Sequence, residues 1–161
     1  MVSVEEYLRR TEKPNCEFVD GEVRPKAMPT WYHGLIQAAL LRLLHEHGLV
    51  AAPEVTVRLS PTKFLVPDVI AATSVQLPYP TDPVLLRVEI LSPDDGVGAM
   101  LAKCEQYHPW GVPFCWVIDP VRRVAWDYAR GGEPLRVDAS GVLQAGDVRV
   151  SVKELFAELK N

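Results

Sequence analysis

Cysteine is scarce and poorly placed for any framework: Cys16, Cys104 and Cys115 are odd in number, far apart and include no Cys-x-x-Cys pair. That excludes a disulfide scaffold and a zinc knuckle, and it leaves three small core residues of a reducing compartment. Positive charge is also short. Lysine and arginine number 17 against 21 acids, a formal net charge of -4, so general attraction to polyanions is not written into the composition and any nucleic-acid contact must be local. No apolar run is long enough to span a bilayer, and the first residues carry charge from Glu5 onward with no leader-like stretch. Repeats, low-complexity tracts and linkers are missing as well. These absences predict a soluble cytoplasmic protein with a single domain over residues 1–161, whose 48% hydrophobic content supplies one ordinary core.

The patterning predicts a layered α/β chain. Ser3-Val4-Glu5-Glu6 has the form of a capping box, and Asp20-Gly21 lies between Cys16–Val19 and Glu22–Arg24 as a tight hairpin signal that pairs Phe18 with Val23 and Glu17 with Arg24. From Gly34 to His47, Ile36, Ala39, Leu40, Leu43 and Leu44 share one helical stripe. His45 and His47, two apart, cannot share a helical face, and His33 reads as an exposed or capping residue. A half-buried strand is expected at Val55–Leu59, another at Phe64–Ala71, and a central one at Val84–Leu91. Pro67 cannot donate to a ladder, so a bulge or edge is expected beside Asp68. A helix from Ala99 to His108, ended by Pro109 and Gly111, precedes the apolar run Phe114–Asp119, the outer strand Val124–Tyr128, a small antiparallel extension and a short last helix capped by Ser151.

Acids inside such strands need compensation. Asp68 and Glu89 both sit in runs of valine, leucine and isoleucine, and a salt bridge, a protonated state or a metal ion answers equally well at this level. Arg87, two residues from Glu89 on the same strand face, offers the salt bridge. If Glu17, Asp68, Glu89 and Lys103 converge, they form a hard, oxygen-rich site suited to magnesium or manganese, and such a site suits phosphodiester hydrolysis.

The ordered set Glu17-Phe18-Val19-Asp20-Gly21-Glu22, Met28-Pro29, His33, Pro67-Asp68, Val88-Glu89-Ile90-Leu91-Ser92-Pro93, Lys103, Tyr107, Gly111-Val112 and Trp116-Val117-Ile118-Asp119-Pro120 resembles the Uma2 family, also called DUF820. The resemblance covers nearly the whole chain. It implies the restriction endonuclease-like core of the PD-(D/E)XK superfamily: a mixed central sheet flanked by helices, here with a small antiparallel extension toward the C-terminus. It also implies a metal-dependent DNA endonuclease, with Asp68, Glu89 and Glu17 as ligands of Mg2+ or Mn2+ and Lys103 activating water. The general pattern departs at Leu91, where the superfamily's lysine normally stands, and Lys103 matches a lysine migrated to the following helix. A second departure is Ala99, where family members commonly carry an aspartate. DNA is the implied partner and a homodimer the implied assembly, with no membrane association. Arg9, Arg10, Lys13, Arg24, Lys26, Lys63, Arg122 and Arg123 are the cations available for local patches. A non-enzymatic binding protein on the same fold, its acids paired with Arg87, Arg24 and Lys103, is the competing expectation.

Overall fold

A computed structural model of the protein describes residues 1–11 and 15–159. Lys13 and Pro14 lie outside the described residues. The short helix α1 (Val4–Leu8) starts at Ser3, whose hydroxyl accepts from Glu6 N while the Glu6 carboxylate accepts from Ser3 N, so the capping box forms as expected. Strands β1 (Cys16–Val19) and β2 (Glu22–Pro25) then form the hairpin in the expected register. Asp20 and Gly21 both take positive φ, which is what a two-residue turn matched to the strand twist demands.

Helix α2 (Trp31–Glu46) begins three residues earlier than its apolar stripe suggests, because Thr30 caps it by accepting from His33 N. Its stripe is buried as read. Strand β3 (Val50–Pro53) follows, then β4 (Val57–Ser60) and β5 (Lys63–Leu65). The continuous strand expected at Phe64–Ala71 is broken: β5 ends at Leu65, and β6 (Val69–Ala72) belongs to another sheet. The physical reason is Pro67, which has no N–H for a ladder and marks the point where the chain passes between sheets.

Two sheets result. The smaller has strand order β2-β1-β5-β4; the larger runs β10-β9-β8-β7-β6-β3 and is mixed, with β7 (Leu86–Ile90) and β8 (Phe114–Asp119) parallel and its other neighbours antiparallel. Helix α3 (Val97–Trp110) makes the β7-to-β8 crossover that a parallel pair requires. Pro109 lies in its last turn rather than ending it, and Gly111 does the ending at φ 114°. After β8 come β9 (Val124–Ala129), β10 (Leu135–Val137), the hairpin β11 (Val142–Ala145) with β12 (Val148–Ser151), and the single-turn helix α4 (Val152–Leu155) capped by Ser151.

The alternation along β7 sorts the core. Leu86, Val88 and Ile90 face α2 and the C-terminal hairpin in one apolar cluster, whereas Leu91 joins Cys104, Tyr107, Cys115 and Val117 in a second cluster under α3. Leu91 thus fills core at the place where a superfamily lysine would stand. Arg87 and Glu89 project to the α3 side, so the central strand delivers two ionic groups into a sealed layer. No helix among the described residues is long and apolar enough to cross a membrane.

Candidate functional site

The break at Val66-Pro67-Asp68 explains the position of Asp68. With no ladder to join there, the chain leaves Asp68 free to turn its carboxylate toward β7, where Oδ2 accepts from Ile90 N at 2.7 Å. Its Oδ1 meets Lys26 Nζ at 2.7 Å and His33 Nε2 at 3.1 Å. The residue is only 2% exposed. Burial by itself would raise this carboxyl, but the hydrogen bond from His33 and the Lys26 ammonium outweigh it and hold it well below the usual carboxylate range.

Glu89 lies on the neighbouring strand β7 with the opposite tendency. Burial raises its carboxyl, the Asp68 charge raises it further, and Arg87, Lys26 and Lys103 only partly counter them. Arg87 Nη2 donates to Glu89 Oε1 at 3.1 Å, while Nη1 points to Cys104 Sγ at 3.1 Å and the guanidinium carbon sits 4.5 Å from the Tyr107 ring centroid. The arginine is wholly buried, so the pair expected from their two-residue spacing is present and desolvated.

Glu17 reaches in from β1. Its Oε2 accepts from Val66 N at 2.7 Å and its Oε1 accepts from Lys103 Nζ at 2.6 Å. The cross-strand partner Arg24 does not pair with it and instead bonds Glu22 at 3.0 Å, because a solvated neighbour is nearer to Arg24 than the buried side of β1. Lys103, from the second turn of α3, also lies 4.0 Å from Glu89 Oε1. Glu17, Asp68, Glu89 and Lys103 therefore line one hollow of about 120 Å³, each contributed by a different stretch of chain. Ala99, one turn before Lys103, is exposed at the start of α3, whose first turn holds no acid.

Three further residues belong to the arrangement; the sequence offered His33 as an exposed or capping residue, Lys26 as one of several patch cations, and nothing for Glu54. His33 is buried beside Asp68, not exposed, because two residues into α2 its ring looks toward the start of β6. Lys26, from the end of the first hairpin, makes an ammonium contact to Val66 O at 2.6 Å besides Asp68 and Glu54. Burial would depress Lys26, but Glu89, Asp68 and Glu54 hold it above its ordinary value. Glu54 follows β3 at φ 54°, a costly conformation for a residue with a side chain, and collects hydrogen bonds from Lys26, Gln37 and Asn15. Donor atoms of His33, Glu54 and Asp68 lie within 4.8 Å of one another, close enough to share a cation. Among the described residues this is the trio with ligand spacing, and Glu17 and Glu89 lie outside it.

Residues 4–159 match the model of the family Uma2, described as "Putative restriction endonuclease". The chain belongs to the Uma2 family. Among solved structures, this Uma2 chain is similar to that of a "putative nuclease belonging to DUF820" from Anabaena variabilis, with a TM-score of 0.82, 20% identity, and coverage of 99% of this chain and 100% of that one. At that identity the likeness establishes the shared nuclease-like fold, a mixed α/β architecture. No curated protein matches.

Proposed function

We propose that this Uma2 protein is a metal-dependent DNA endonuclease that hydrolyses phosphodiester bonds. The observation that carries the reading is the convergence of Glu17, Asp68, Glu89 and Lys103 from β1, the sheet crossing, β7 and α3 into one hollow. A divalent cation fits what lines it: the carboxylates of Glu17, Asp68, Glu89 and Asp95 with one imidazole and no thiol, against the two ammoniums of Lys26 and Lys103. Asp68 and Glu89 would hold magnesium or manganese, with Glu17 as the auxiliary acid and His33 and Glu54 within reach on the Asp68 side. Bound there, the ion supplies Lewis-acid activation of a phosphoryl oxygen and of water.

The chain's own residues do the rest. The Ile90 N–H and His33 hold the Asp68 carboxylate, and Arg87 holds Glu89. Lys103, steadied by Glu17, presents its ammonium to the attacking water and orients it toward phosphorus. In the reaction the water oxygen forms the new P–O bond and gives up a proton, the bridging ester P–O bond breaks, and the leaving oxygen takes up a proton in its place. A single domain over residues 1–161, working in the cytoplasm as a homodimer, completes the proposal.

A specific observation favours a second reading, a non-catalytic binding protein on the nuclease fold. Each of the candidate ligand acids already has a cation at hand: Lys26 for Asp68, Arg87 for Glu89 and Lys103 for Glu17. Calorimetric titration of manganese into wild type and Asp68→Asn, with plasmid nicking in the same buffers, separates the two. Metal binding and nicking that vanish together in the variant support the nuclease. A folded wild type that binds no manganese at millimolar concentration sinks it and leaves the binding protein.

A further inference from the structure

An attacking water must give up a proton, and most groups of the hollow have no place to receive one. Glu17 gives one carboxylate oxygen to Val66 N and the other to Lys103 Nζ. Lys26 and Lys103 are ammoniums held by carboxylates, and an ammonium has no lone pair to offer. His33 turns Nε2 to Asp68, while its Nδ1 is sealed from solvent without a partner. Asp68 and Glu89 are the acids committed to the ion in the reading above, and Arg87 holds Glu89 besides.

Asp95 differs from all of these. It lines the same hollow, half-buried, in the turn between β7 and α3. Its Oδ2 accepts from Ser92 N at 2.8 Å, and its own N–H donates to Ser92 O at 2.9 Å, so the turn closes on itself and tethers the carboxylate. Among the described residues no hydrogen bond reaches its Oδ1 and no cation pairs with it. Of the four acids that line the hollow, Glu17, Asp68 and Glu89 each have a lysine or arginine partner, and Asp95 alone has none.

We propose that Asp95 is the general base of this site and receives the proton of the attacking water on Oδ1. The proposal rests on the nuclease reading above. As the water oxygen bonds to phosphorus, one of its O–H bonds breaks and that proton passes to Asp95. The ester P–O bond breaks, the leaving oxygen takes a proton from solvent, and Asp95 returns its own to solvent. A carboxylate tethered by one oxygen and open at the other suits this task, because the tether sets its position and the open lone pairs do the accepting.

The test is single-turnover plasmid nicking with protein in excess and manganese saturating, beside manganese calorimetry and thermal unfolding. Asp95→Asn keeps an oxygen for Ser92 N and loses the basic carboxylate; Asp95→Ser does the same with a different side chain, so a folding defect peculiar to one variant decides nothing. Both are expected to slow the saturated nicking rate about 100-fold. The protein concentration giving half that rate, the manganese affinity and the unfolding midpoint are expected to stay put. The deficit should narrow as pH rises from about 7 to about 9, because hydroxide attacks without a base to help it. Nicking at the wild-type rate, a deficit that stays constant with pH, or a slowing that only follows a fallen midpoint overturns the base. Weaker manganese binding by Asp95→Asn makes the residue a ligand and likewise overturns it. In each of these cases a wild type that binds manganese and nicks leaves the nuclease reading standing, whereas one that does neither removes both.

Discussion

Lys26 Nζ sits 2.7 Å from Asp68 Oδ1 within an oxygen cage that Val66 O at 2.6 Å and Glu54 Oε2 at 3.1 Å complete. An ammonium in such a cage holds the place of a cation, and the His33, Glu54 and Asp68 donors surround the same region. Lys26→Met is expected to tighten manganese binding about tenfold, roughly 1.4 kcal/mol, because the internal competitor is gone. Lys103→Met removes equal charge from the same hollow and serves as the control. Equal gains in the two variants, read by calorimetry, would reduce the effect to general electrostatics.

Proton competition gives Glu89 a signature of its own. Burial and the Asp68 charge raise its carboxyl, so a proton stays on it at pH values where an ordinary glutamate is fully ionised. A divalent ion requires the ionised form. Manganese affinity is therefore expected to keep rising with pH above the usual carboxylate range, and Glu89→Gln should flatten that rise. The sign for stability is opposite: a carboxyl raised on folding favours the fold at low pH, and the metal-free protein should lose that contribution as pH climbs through the raised value. Urea midpoints measured across pH in EDTA check the second half.

Arg87 and Glu89 form a desolvated pair in which neither partner can be lost alone. Arg87→Met should cost about 3–5 kcal/mol by urea denaturation at a pH above the raised Glu89 range, since there it leaves the Glu89 charge buried without its partner. Changing both residues to methionine is expected to recover most of that loss. A double variant as unstable as the single one would show that the guanidinium matters through Cys104 and Tyr107 instead.

Gly111 carries a stability prediction far from the chemistry. It ends α3 at φ 114°, and a Cβ there would meet Pro83 Cγ at 2.7 Å. Gly111→Ala should cost about 1–2 kcal/mol for the backbone conformation, and more for the contact. An unchanged thermal midpoint would contradict this.

Local signals carried much of the architecture. The Asp20-Gly21 turn set the register of Phe18 against Val23, the spacing of Ile36, Leu40 and Leu43 set the buried face of α2, and the alternation along β7 separated Leu86, Val88 and Ile90 from Arg87 and Glu89. Asp68 and Glu89 were legible as buried acids because strand patterning placed them where acids need partners, whereas Glu17 and Lys103 joined them only through the family resemblance. Lys26 and Glu54 were not legible, and His33 was read only as an exposed or capping residue, since each acquires its meaning only across a long stretch of sequence: Lys26 is 42 residues from Asp68. Glu54 also depends on a positive φ that no residue type nearby announces. Pro67 gave the one available hint. Expected as a bulge or an edge, it marks a transfer between sheets, because hydrophobic pattern alone cannot tell one long strand from two short ones end to end.

That transfer has a mechanical consequence. Glu17 and Lys26 ride on the sheet of the first hairpin, Glu89 rides on the other, and Val66-Pro67-Asp68 is the strap stitched between them. The ionic contacts therefore work as a clasp across a seam. Loosening the hairpin by even a small shear would unfasten Lys103 and Lys26 together, so alignment of the two sheets and readiness of the cleft are one and the same variable.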